Sequence, residues 1–97
     1  MVMHIVLLQP KYETTPEEIQ TVLDRVKALQ QKIPGIIEVQ AGENRNSHNQ
    51  GYTYGCVIRF VDEAHLQAYF PHPEHRVVGA ELRRLCTSLM NFDLPQE

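Results

Sequence analysis

Met3 to Leu8 is a run of apolar and β-branched residues interrupted only by His4, and it predicts a strand. The run does not alternate with polar residues, so both faces of that strand are expected to be covered. Thr15-Pro16-Glu17-Glu18 then marks a helix start. Thr15 can cap, Pro16 suits the first helical position, and Glu18 completes a capping box. Ile19, Val22, Leu23, Val26 and Leu29 recur at helical spacing, with Ile33 one turn further, and Pro34-Gly35 closes the helix. Ile36 to Gly42 predicts a second strand and Tyr52 to Val61 a third. Between them Glu43 to Gly51 is polar and reads as a mobile loop, with His48 solvated in it. Asp62 can cap a helix over Glu63 to Phe70. Pro71 and Pro73 force a corner, and Glu74 to Leu85 restarts the helix with Val78, Leu82 and Leu85 in register. Leu89 to Leu94 is the last predicted strand, stopped by Pro95.

This order makes two split βαβ units, which predicts an α+β chain: a ferredoxin-like four-stranded antiparallel sheet with helices on one face. The other face keeps apolar side chains from the first and third strands. A sheet of this size cannot leave such a face to water. The expected remedy is a second copy packed face to face, giving a two-fold homodimer built as a dimeric α/β barrel.

Composition narrows the partners. A chain of 97 residues is expected to form one domain over residues 1–97. The net charge is −3 and there is no basic run, which argues against nucleic acid. No stretch approaches the ~20 apolar residues of a membrane span. The opening residues lack the basic start and cleavage site of a signal peptide. Cys56 and Cys86 are isolated, with no CxxC, and read as reduced structural thiols. These features together give a cytoplasmic expectation.

Read in order, several short stretches resemble the stress-responsive A/B barrel (Dabb) domain family. They are His4-Ile5-Val6-Leu7, Ile33-Pro34-Gly35-Ile36, Gly51-Tyr52-Thr53, Tyr69-Phe70-Pro71-His72-Pro73-Glu74-His75 and the terminal Phe92-Asp93. The tyrosine-to-histidine stretch is the most specific of them. The resemblance implies a dimeric α+β barrel, and many members of the family have no assigned biochemistry. It also implies a cavity between sheet and helices. A plant branch of the family cyclises linear polyketides there, using a tyrosine and a histidine that match Tyr69 and His75. His4 matches a histidine lining the same cavity, and Tyr54 stands where that branch has a further histidine.

The corner concentrates the candidate chemistry. A neutral imidazole can take a proton from a carbon acid, and a phenol can donate to the developing enolate oxygen. His75 as base, Tyr69 as donor and His4 beside them would suit a cofactor-free cyclase, lyase or isomerase. His72, Tyr54, Val6, Val22, Val26 and Leu85 are the expected neighbours of a small apolar ligand. Equally, His72 can simply cap the helix that follows, His75 can pin the turn, and His4 can be a satisfied interior histidine. His72, Glu74 and His75 have metal-ligand side chains, but the run crosses a helix start without a third or fourth partner, so no metal is expected. No cofactor is expected either. Two readings remain: a Dabb dimer of unassigned activity with a small apolar pocket, or a cofactor-free enzyme. An open apolar cavity joining His4, Tyr69 and His75 is the feature that separates them.

Overall fold

The computed structural model describes residues 1–96. Strand β1 (Val2–Pro10) leads to helix α1 (Pro16–Ala28), which tightens into one 3₁₀ turn over Leu29–Gln31. Strands β2 (Ile36–Glu43) and β3 (Tyr54–Phe60) follow, then helices α2 (Glu63–Tyr69) and α3 (Pro73–Leu85), then strand β4 (Cys86–Pro95). The sheet order is β2-β3-β1-β4 and every pairing is antiparallel. This is the ferredoxin-like α+β arrangement expected from the pattern.

The helix signals work as their chemistry requires. The Thr15 hydroxyl accepts from the Glu18 amide at 3.1 Å and the Glu18 carboxylate accepts from the Thr15 amide at 3.0 Å, closing the capping box. Asp62 caps α2 by accepting from the His65 amide at 2.8 Å. At Gly35, φ is +90°, and an added Cβ would lie 2.5 Å from His65 Cβ and Cγ. Only glycine fits there, which is why Pro34-Gly35 makes the turn.

Two boundaries and one burial pattern differ from expectation. Strand β3 begins at Tyr54, not Tyr52. The loop before it is stitched by asparagines: Asn44 Nδ2 donates to the Tyr52 carbonyl at 2.8 Å, and the Asn46 and Asn49 side chains accept from His48 and Gly51 amides. Strand β4 starts at Cys86, directly where α3 ends, because Cys86 already has extended dihedrals of −117° and 141°. It pairs with β1 along nearly its whole length. Finally, β1 alternates in burial although its residue types do not. Val2, His4, Val6 and Leu8 are buried, while Met3, Ile5 and Leu7 are only half-buried. In one protomer only one face is covered.

That covered face is the core. Val2, Val6 and Leu8 of β1 and Cys56, Ile58 and Phe60 of β3 meet Ile19, Val22, Leu23 and Val26 of α1, with Leu66, Tyr69, Val78, Leu82 and Leu85 from the other two helices. Among the described residues no helix is long and apolar enough to cross a membrane.

Candidate active site in the cavity between sheet and helices

The corner between α2 and α3 sets the site. Pro71 ends one helix and Pro73 opens the next. His72 between them has extended dihedrals, and its Nδ1 accepts from the Glu74 amide at 3.1 Å. Its ring thus serves the backbone as a helix cap. His75, one turn into α3, folds back on the corner: its Nδ1 lies 3.0 Å from the Phe70 carbonyl oxygen. A carbonyl oxygen only accepts, so Nδ1 carries the proton and the neutral ring keeps a lone pair on Nε2.

Tyr69, at the end of α2, packs against that ring, tilted by 43° with centroids 4.2 Å apart. His4 reaches the same place from the middle of β1, its ring edge-on to Tyr69 at 5.9 Å and to Phe70 at 5.3 Å. His4 is the one buried polar residue among the described residues. Its Nδ1 donates to the Asp93 carboxylate at 2.5 Å, a contact set by the direct pairing of His4 with Asp93 across β1 and β4. A buried imidazole N–H without such an acceptor would be costly.

These rings border a cavity of about 230 Å³. His4 and Val6 of β1, Cys56 of β3 and Val26 of α1 line it on one side. Tyr69, Phe70, His75, Val78, Gly79, Leu82 and Arg83 line it from α2 and α3, and Leu89 and Asn91 from β4. Phe70, Arg83 and Asn91 are exposed and mark its mouth.

Of the residues singled out from the sequence, the fold brings His4, Tyr69, His75, Val6 and Val26 together on this lining. It places the other four elsewhere. His72 caps α3. Tyr54 packs half-buried beside Leu8, its partner-by-one-strand in the β1–β3 register. Val22 lies in the core one turn before Val26, and Leu85 closes the core at the end of α3, where its carbonyl accepts from Lys11 and Thr14. Sequence reasoning missed Gly79 and Arg83, although both follow His75 at helical spacing. It also missed Asn91, which lies on the inner face because it pairs with Val6.

Electrostatics divide the labour. Burial is the main cause that lowers the His75 pKa below the usual imidazole value; the Phe70 bond opposes it, and His4, Arg83 and His72 add to it. His75 is therefore neutral, with Nε2 basic, at pH 7. Burial raises the Tyr69 phenol above its ordinary pKa, with a smaller push from Cys56, so it stays a proton donor. The Cys56 thiol is pushed up to about 12 by burial, too high for a thiolate nucleophile at neutral pH. No group of three or more metal-ligating side chains occurs among the described residues.

Solved structures with this fold are numerous. A dimeric ferredoxin-like protein of unknown function from Jannaschia sp. CCS1 is 30% identical over 98% of each chain, with a TM-score of 0.87. A protein of Arabidopsis thaliana superposes with a TM-score of 0.91 at 21% identity, over 100% of this chain and 96% of the other. The hydroxynitrile lyase of Passiflora edulis superposes with a TM-score of 0.88 at 20% identity, over 99% of this chain and 94% of its own. A search of curated proteins gives no match. The stress responsive A/B barrel domain model matches residues 2–96, and the chain belongs to that family.

Proposed function

We propose that this Dabb-domain protein is a homodimer whose protomers each use the sheet–helix cavity for cofactor-independent proton transfer on a small, largely apolar carbonyl compound. The observation that carries this reading is the single cavity shared by His4, Tyr69 and His75. His75, with its basic Nε2, and Tyr69, a phenol that holds its proton, line one space whose other walls are mostly apolar side chains.

In this reading His75 Nε2 takes the proton from a carbon next to a carbonyl. The electron pair moves onto the carbonyl oxygen, and Tyr69 hydrogen-bonds that oxyanion. The enolate then attacks a second carbonyl, in an aldol cyclisation, or is reprotonated at another carbon, in an isomerisation. His4, held by Asp93, orients groups at the cavity floor. Two buried free thiols suit a reducing compartment such as the cytosol.

The dimer reading rests on the uncovered sheet face. Ile5, Met90, Phe92 and Leu94 share that face through the β1–β4 register, and the last three are 47, 55 and 43% exposed in one protomer. The Jannaschia protein, of the same fold, is dimeric.

The test is solvent-deuterium exchange into the activated C–H of a neutral aryl ketone, followed by proton NMR. The wild type should accelerate exchange, and His75→Ala should lose about 100-fold or more of that acceleration. Tyr69→Phe should lose a smaller factor. The wild-type rate should fall as pH drops below ~6.5 through the depressed His75 pKa, since protonation removes the base. A folded His75→Ala protein that exchanges the ketone as fast as wild type removes the histidine from the mechanism and leaves the cavity as a binding site only.

A further inference from the structure

Helix α3 presents one face to the cavity mouth, and three of its residues fall there at successive turns: His75, Gly79 and Arg83. The bare Cα of Gly79 is where the other two meet. A Cβ at Gly79 would lie 3.4 Å from Arg83 Nη1 and 3.8 Å from His75 Nε2. The guanidinium therefore reaches back along the helix toward the basic nitrogen.

Arg83 has no acidic partner to explain that direction. Its neighbour Arg84 is engaged by Glu81 at 2.5 Å, Lys32 sits near Glu74, and Arg59 near Glu38. Among the described residues Arg83 makes no ion pair and no hydrogen bond. Among the described residues it is the sole cation lining the cavity besides the histidines, and no carboxylate of theirs lines it. Asn91, also exposed on the lining, adds an uncharged amide. A chamber lined by aliphatic and aromatic side chains, with one free guanidinium at its mouth, has the chemistry of a carboxylate receptor.

We propose that the ligand of this cavity is a small carboxylic acid, its carboxylate on Arg83 at the mouth and its apolar body against Val6, Val26 and Leu82. This rests on the cavity being a small-molecule site, as argued above, and specifies what enters it. With the carboxylate on Arg83, the adjoining carbon of the ligand lies on the His75 side of Gly79. The anion also offsets the guanidinium that otherwise faces His75, together with His4 from β1, Tyr69 from α2 and His72 at the corner.

The experiment is a matched pair of probes, phenylacetate and its neutral isostere phenylacetamide, titrated into the full-length protein. Binding is followed by the proton resonances of the His75 and Tyr69 rings. Phenylacetate should bind at least about tenfold more tightly than phenylacetamide, the worth of one charge-assisted contact. Arg83→Gln should abolish that preference while Arg84→Gln keeps it; unchanged circular dichroism shows that both variants fold. Equal binding of the two probes, or a preference that survives Arg83→Gln, overturns the carboxylate assignment and leaves the cavity reading standing. If neither probe moves the His75 or Tyr69 resonances at millimolar concentration, both readings fall together.

Discussion

Strand β1 carries two apolar stripes that differ in what covers them. On the inner face Val2, Val6 and Leu8 are buried under the helices, opposite Phe60, Cys56 and Tyr54 of β3. On the outer face Met3, Ile5 and Leu7 are only half-buried, opposite Leu94, Phe92 and Met90 of β4. The residue types are alike, so the difference comes from the crossovers, which put every helix on one side. The consequences diverge. The inner face is dry enough to hold His4 in a paired state and to shift His75 and Tyr69 away from their ordinary pKa values. The outer face carries the ion pair of Arg59 with Glu38 beside Met3, and otherwise offers mainly apolar area. One face is suited to chemistry and the other to assembly.

The sharpest way to break this comparison uses two phenylalanines, one from each face. Phe60 is 0% exposed and Phe92 is 55% exposed. Phe60→Ala removes a ring from a closed core and should cost about 3–5 kcal/mol of folding stability, measured by urea unfolding. Phe92→Ala should leave a folded protomer and act on association, shifting the sedimentation equilibrium toward single subunits by about 2 kcal/mol or more per interface. Its melting temperature should then fall and depend less steeply on protein concentration, because a smaller fraction is dimeric. If Phe92→Ala unfolds the chain as Phe60→Ala does, at every concentration, the two faces are not energetically distinct.

A second test probes the polar group that the inner face tolerates. Asp93→Ala leaves the buried His4 Nδ1–H without its acceptor and should cost about 1–3 kcal/mol. Changing both partners, His4→Phe with Asp93→Ala, should recover much of that loss, because no buried donor is then left unmatched. A double variant no more stable than Asp93→Ala would mean that the pair contributes by some route other than satisfying His4.

The same contrast explains what the sequence made legible. Element order, the capping box at Thr15, the Pro34-Gly35 stop and the proline corner are local signals, and each appears where its chemistry puts it. Periodicity gave the core stripe of α1 directly. The cavity is not local. His4, Tyr69 and His75 could be named because they sit in a distinctive stretch or stand alone as polar residues in an apolar run. Asn91 could be placed only once β4 was registered against β1, and that register depends on where β4 starts. Val22 and Leu85 are apolar and on the correct face of their helices, yet each lies about one turn from the void, a distance that hydrophobic pattern does not resolve. His72 was drawn toward the site by its neighbours, whereas its extended backbone turns its ring to the Glu74 amide.

The smallest expected effect is also the one that separates stability from use at the mouth of the inner-face cavity. Gly79 is buried in the interior of α3, where glycine costs roughly 0.5–1 kcal/mol relative to alanine. Its backbone is not in the left-handed region, so alanine meets no dihedral strain there. The added methyl would stand in ordinary contact with the His75 ring, at 3.7 Å from Cε1, and 3.4 Å from Arg83 Nη1, the far end of a flexible side chain that can yield. Gly79→Ala should therefore raise the melting temperature slightly. The same methyl occupies the space between the basic nitrogen and the guanidinium, so probe binding and ketone exchange should both weaken even as the fold gains stability. A Gly79→Ala protein that is more stable and equally active would show that the gap at this turn is a packing defect with no part in the site.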